Sequence, residues 1–132
     1  MKKDIENRSD IEQLVNTFYE KVKRDEVIGD FFTRVTVIDW DKHLPVMYDF
    51  WENIIFHVGG YTGNPMKHHE ALHRKAPLTA VHFNSWIRLF NETIDELFTG
   101  QKAEQAKQRA LSIATVMRIN IIGLPNQEES IY

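Results

Sequence analysis

The chain has 132 residues, the length of one ordinary domain, and its 42% hydrophobic and 27% charged residues exclude a generally disordered state. Lys and Arg number 16 against 19 Asp and Glu, a net charge of -3, so no basic excess exists to neutralise a nucleic-acid backbone. The absence of cysteine excludes a disulfide scaffold, thiolate zinc sites, iron–sulfur clusters and a cysteine nucleophile. No apolar run approaches the roughly 18 residues of a membrane span, and Met1-Lys2-Lys3-Asp4-Ile5-Glu6 lacks the apolar stretch of a signal peptide. The expectation is one soluble, cytoplasmic domain over residues 1–132, with no nucleic-acid or membrane partner.

Ser9-Asp10-Ile11-Glu12 reads as a capping box. Behind it Ile11, Leu14, Val15, Phe18, Tyr19 and Val22 form one helical stripe, which frays near Arg24-Asp25. A short helical turn is expected over Glu26 to Phe32. Thr33 to Ile38 favours strand by propensity but has no partner strand and is read as loop. Asp39 caps the next helix, whose apolar face is Trp40, Leu44, Met47, Phe50, Trp51, Ile54, Ile55 and Val58. Pro45 lies early in it, and Gly59-Gly60 is its expected end. Tyr61 to Pro65 is turn-rich, and a short helix from about Pro65 to Lys75 follows, limited by Pro77. Thr79 caps a long helix with the stripe Phe83, Trp86, Ile87, Phe90, Ile94, Leu97 and Phe98, stopped by Gly100. The last helix, about Gln101 to Ile122, has the leaner face Ala103, Ala106, Ala110, Ile113, Ala114, Met117 and Ile121. Its small residues let another helix approach closely. Gly123 and Pro125 end it, leaving Asn126 to Tyr132 as a frayed tail. The fold class is all-α, with a helical core over about residues 9–122.

Six histidines and an aromatic content of 11% draw attention next. His57 and His82 fall at helix edges, where solvent is expected. His43 is in phase with Met47, Phe50 and Ile54, so it points with an apolar face. His69 lies three residues from both Met66 and Leu72, on the inner face of the short helix, while His68 points about 100° away. Each inward histidine, taken singly, also fits a core imidazole hydrogen-bonded to a carbonyl. His69-Glu70-Ala71-Leu72-His73 matches the H-E-x-x-H zinc motif in letters. A catalytic zinc also needs a third ligand, which the chain does not offer clearly. Tyr19 and Trp86 sit on inward stripes, and each needs a partner for one polar hydrogen if buried. Together with His43 they describe a dry pocket, with His69 offered from another helix. A haem pocket needs such residues, since iron takes a neutral imidazole on one side and distal donors act on the other. On the residues alone, haem stands as one hypothesis among several.

Several blocks carry a more specific signal. They are Phe18-Tyr19-Glu20-Lys21-Val22, Ile28-Gly29-Asp30-Phe31-Phe32, and Asp39-Trp40-Asp41-Lys42-His43-Leu44 with Met47 and Phe50-Trp51. Tyr61 to Met66 with His69, and His82 to Phe90, complete the series. In order and spacing the chain resembles a group III truncated haemoglobin from about Ser9 to Ile122. The resemblance implies a globin-like two-over-two helical sandwich around haem b. It implies His69 as the proximal ligand of the iron, and Tyr19, His43 and Trp86 as the distal ligand pocket. Phe32, Met47, Trp51, Met66, Leu72, Phe83 and Phe90 are expected to line the haem.

The function implied is binding of diatomic ligands, oxygen or nitric oxide, at a His-ligated iron. Distal donation slows ligand release, which points to scavenging, sensing or redox chemistry rather than oxygen delivery. An enzymatic version would be nitric oxide dioxygenation or a peroxidase-like reaction, with a reductase the chain does not identify. His43 would act as a gate or a proton donor. The expected state is a monomer or weak homo-oligomer. Two alternatives are a cofactor-free helical interaction module, and a zinc site using residues 69–73.

Overall fold

The computed structural model describes residues 2–29, 39–57 and 78–121. They form four helices: α1 (Arg8–Arg24), α2 (Trp40–Phe56), α3 (Ala80–Leu97) and α4 (Gln101–Ile121). The expected loop at 33–38, the short helix at about 65–75 and the tail at 126–132 lie outside the described residues.

The expected stripe of α1 is buried in full: Ile11, Leu14, Val15, Phe18, Tyr19 and Val22. It is wide because α1 packs on two neighbours, α2 and α3, while α4 packs on α3 and α2. Each helix thus packs on two others, which closes the four into one all-α core, as the expected two-over-two sandwich requires. Burying each large aliphatic side chain contributes about 1.5–3 kcal/mol before chain entropy is set against it. On α4, Ala103, Ala106, Ala110 and Ala114 are buried, and α4 packs on α3, whose Leu89, Phe90 and Ile94 are buried as well. Met117 is also buried. Among the described residues no helix is long and apolar enough to cross a membrane.

Helix α2 departs from the broad buried face expected of it. Only Trp51 and Ile55 are buried, while Trp40, Leu44, Met47, Phe50 and Ile54 are half-buried against the edge of the core. The apolar stripe is wider than α1 and α4 together cover. The helix also stops at Phe56, before the expected Gly59-Gly60. His57 takes a left-handed conformation (φ 60°) and its N–H bonds Asn53 O at 2.9 Å, closing the helix early.

The start of α1 is also corrected. Asn7, not Ser9, is the N-cap, and its side chain accepts from Asp10 N at 3.0 Å. Asp10 in turn accepts from Glu6 N at 2.8 Å and from the Lys3 ammonium. At α3 the expected cap Thr79 holds, and His82, expected in solvent, completes a capping box: Thr79 N donates to His82 Nδ1 at 2.9 Å. Burial lowers the His82 pKa below its ordinary 6.5, so the ring is kept in its accepting, neutral form.

The N-terminal segment supplies the cap that α4 lacks. Gly100 precedes α4 with φ 140°, and it has no side chain to receive the first N–H groups. Asp4 takes that role from far away in sequence, accepting from Lys102 N and Ala103 N, each at 2.8 Å. A Cβ on Gly100 would stand 2.5 Å from Asp4 Cγ, so the cap and the glycine require each other. Thr99 N bonds Lys3 O at 2.9 Å and fixes the segment alongside. Burial pushes the Asp4 carboxyl up, but the N–H groups of Lys102, Ile5 and Ala103 outweigh it and hold the pKa below 3.8. Its stabilising effect is therefore complete above pH 3.8 and is lost as pH falls through the lowered folded value. Asp4→Ala is expected to cost about 1 kcal/mol at neutral pH, within roughly 0.5–2 kcal/mol for lost caps. Urea titrations at pH 7 and at about pH 3 check this; the variant's deficit should shrink at the lower pH.

Candidate functional site

Successive residues on a helix point about 100° apart, so both are buried only where the helix is covered on two sides. Phe18 and Tyr19 are such a pair, at 2% and 9% exposure. Phe18 faces α3 and Tyr19 faces α2. Burial raises the Tyr19 pKa above its ordinary value of 10, so the phenol stays a neutral O–H donor at any physiological pH.

Across from it, His43 of α2 places Nε2 3.4 Å from the Tyr19 hydroxyl. The roles in that contact follow from the tautomer. If Nε2 carries the proton it donates to Tyr19 Oη, and the phenolic proton is then directed at a third group. If Nδ1 carries it, the phenol is spent on the imidazole. Trp40, one turn before His43, closes the cluster. Its ring centroid lies 5.3 Å from Tyr19 and 5.6 Å from His43, both edge-on, while Tyr19 and His43 are 5.4 Å apart. A separation of 3.4 Å is long for a hydrogen bond, whereas edge-on aromatic pairs contribute about 0.5–1.5 kcal/mol each. Ring packing therefore fixes this pair more than the polar contact does. Lys23, one turn beyond Tyr19 on α1, lies 4.5 Å over the Trp40 ring.

Trp86 joins the site by a different route. It stacks on Phe90 of its own helix at 5.6 Å and 10°, and meets Phe18 edge-on at 5.6 Å. Phe18 also meets Tyr19 edge-on at 5.2 Å, so Phe18 is the ring through which Trp86 and the Tyr19–His43 pair are connected. Phe90 is fully buried between Phe18, Trp51 and Trp86, and stacks on Trp51 at 4.7 Å. Met47 is half-buried beside this core, and Phe83 is buried at the start of α3. Phe32, Met66, His68, His69, Leu72 and His73 lie outside the described residues. Among the described residues no group of three or more His, Asp or Glu side chains is placed to hold a metal ion. The segment 69–73, named above for zinc, is not among them.

Tyr19, His43 and Trp86 are the residues expected in one pocket, whereas Trp40 is expected on the apolar face of α2 and given no role in the pocket. The signal for Trp40 was present. It stands three residues before His43, on the same side of α2, as Lys23 stands four after Tyr19 on α1.

A family model for bacterial-like globins matches residues 4–121. A group 3 truncated haemoglobin of Campylobacter jejuni is 30% identical over 118 residues, which cover 87% of this chain and 91% of the relative. The crystal structure of a group III truncated haemoglobin from Campylobacter jejuni superposes with a TM-score of 0.80 at 29% identity, covering 92% of this chain and 95% of that one. With the helix arrangement described above, these matches show that the chain belongs to the bacterial-like globin family, among its group III truncated haemoglobins.

Proposed function

We propose that the chain is a cytoplasmic haem b protein that binds diatomic ligands in a polar distal pocket. In this reading it retains them for scavenging, sensing or redox chemistry rather than delivery. The observation that carries the reading is the neutral, buried Tyr19 hydroxyl set against His43 Nε2 inside an aromatic surround. A core position would be filled more cheaply by phenylalanine, since burying a hydroxyl costs free energy unless a partner repays it. The described residues fit haem in two respects. Tyr19 is a buried donor kept neutral by its burial, as a weakly polar diatomic ligand requires. The half-buried Leu44, Met47, Phe50 and Trp86 give a flat apolar group the surface that the helices leave uncovered. Family membership supports the same reading.

Haem, when bound, would supply an iron able to bind a neutral imidazole and a diatomic ligand. His69 is the residue proposed to hold it, with Phe32, Met47, Met66, Leu72 and Phe83 against the porphyrin. Tyr19 would present its hydroxyl proton to a bound ligand, with His43 Nε2 3.4 Å from that hydroxyl. Trp86 offers its indole N–H from α3. Trp51 and Phe90 support these side chains from behind through stacking with each other and with Trp86. Phe18 and Trp40 pack edge-on against Tyr19 and set the apolar surround of its hydroxyl. His43, half-buried, also stands where it can open or close the pocket to solvent.

A hydrogen bond to a partly charged acceptor contributes about 1.5–3 kcal/mol, and each 1.4 kcal/mol is about a factor of ten in rate or affinity. Tyr19→Phe and Trp86→Phe are therefore expected to speed dioxygen release by roughly ten- to hundredfold, measured by stopped flow. Carbon monoxide, which carries less charge when bound, should be affected less, and the two substitutions should be non-additive because they share one acceptor. Unchanged dioxygen release in both variants would remove the distal-donor assignment. For the proximal side, His69→Ala should lose stable haem, while His68→Ala should keep it. The visible spectrum of each purified variant reads this out, and the reverse pattern would move the ligand to His68.

A further inference from the structure

The geometry around Trp40 carries one step more. Three rings from two helices stand in a closed triangle, with centroid distances of 5.3, 5.4 and 5.6 Å. All three contacts are edge-on, with interplanar angles of 61°, 74° and 75°. Edge-on rings resist sliding past one another, because each edge faces the electron-rich face of the next. Among the described residues, Tyr19 and Trp40 are the two rings set against His43, and the 3.4 Å polar contact to Tyr19 adds little to their restraint. Tyr19 is held independently of Trp40, because it is buried on α1 and backed by Phe18 at 5.2 Å. Removing Trp40 therefore takes a ring contact from His43 while Tyr19 keeps its backing by Phe18. Trp40 is itself restrained on its outer face, where the Lys23 ammonium lies 4.5 Å from the ring centre. It also stands at the first turn of α2, at the solvent edge of the cluster rather than in its interior.

We propose that Trp40 is a positioning residue that holds His43 across the pocket and so sets the rate at which ligands enter. This rests on the haem reading above. It assigns a function to a residue that touches neither haem nor ligand in that reading. The prediction is a split between entry and retention. Trp40→Ala lets His43 swing outward, so ligands enter faster, while the Tyr19 donation that governs release persists.

The experiment uses the full chain with haem and carbon monoxide. Flash photolysis gives the bimolecular rebinding rate of Trp40→Ala, Trp40→Phe, His43→Ala and the double variant Trp40→Ala/His43→Ala. Losing one such ring contact corresponds to about a fivefold change, so rebinding in Trp40→Ala should be roughly fivefold faster. Trp40→Phe, which keeps an edge-on ring, should stay within about twofold of the parent. The double variant should rebind no faster than His43→Ala alone, because Trp40 acts through His43. Dioxygen release should change much less than rebinding does. A second readout is independent of ligand kinetics. Nuclear Overhauser contacts between the His43 and Tyr19 rings, recorded with haem and again without it, should weaken in Trp40→Ala and return in Trp40→Phe. Unchanged ring contacts and rebinding in Trp40→Ala overturn the proposal, as does a double variant whose effects simply multiply. If Trp40→Ala does not fold, Trp40→Leu, which keeps bulk without a ring, decides by the same criteria. Failure of the haem reading looks different: the parent chain would then give no photolysis signal with carbon monoxide at all.

Discussion

The site depends on a single helix being covered on two sides. Because α1 packs on both α2 and α3, its buried arc takes in two consecutive residues. Phe18 is committed to the interior with Phe90 and Trp86, and Tyr19 to the cluster with His43 and Trp40. Cover α1 on one side only and one of the two would face solvent. Were that residue Tyr19, its hydroxyl would meet water, and the neutral donor proposed for a ligand would be lost. The Arg8 guanidinium, bonded to Asp49 at 2.8 Å and Glu52 at 2.9 Å, joins α1 to α2 near its other end. Such exposed pairs contribute little energy each. The register of α1 on α2 rests instead on the apolar contacts.

Polarity in this interior is confined to groups that can remain uncharged. The Tyr19 phenol is pushed away from ionisation by burial. The carboxylates that are largely buried lie elsewhere and are satisfied by several donors each. Asp10 has Lys3 and the Glu6 N–H, and Asp25 has Val27, Ile28 and Arg88. A fixed charge beside the Tyr19–His43 pair would bind water or a counter-ion in place of a weakly polar ligand. The nearest described charge, the Lys23 ammonium, lies over the Trp40 ring rather than against the Tyr19 hydroxyl, which suits the proposed chemistry, since a small dipole is recognised best where nothing stronger competes.

Much of this was legible in the sequence, for reasons that can be named. The α1 stripe was readable because its period of three and four is unbroken from Ile11 to Val22, and every member is buried. The α4 face was readable because alanines recur where α3 presents large side chains. The ends of helices were less so. Ser9 and Asn7 are both good caps, and only the tertiary position of Lys3 and Glu6 around Asp10 selects between them. Gly59-Gly60 looked like the natural end of α2, but His57 accepted the left-handed conformation first. The Asp4 cap on α4 could not be read at all, because it joins residues 98 and 99 positions apart. In the site, periodicity placed Tyr19 and His43 inward without showing that they meet. Trp40 was hidden among other apolar residues of α2, since its importance comes from which neighbours it has rather than from its type.

The most direct test of the account is a titration of the full chain with haem, followed by visible absorption. The account predicts a sharp Soret band that saturates at one haem per chain. On reduction and exposure to carbon monoxide that band should shift as expected for a histidine-ligated ferrous haem. A broad band that grows without saturation, or one that does not respond to carbon monoxide, would contradict it and leave the Tyr19–His43 pair as an unusual feature of a cofactor-free helical core.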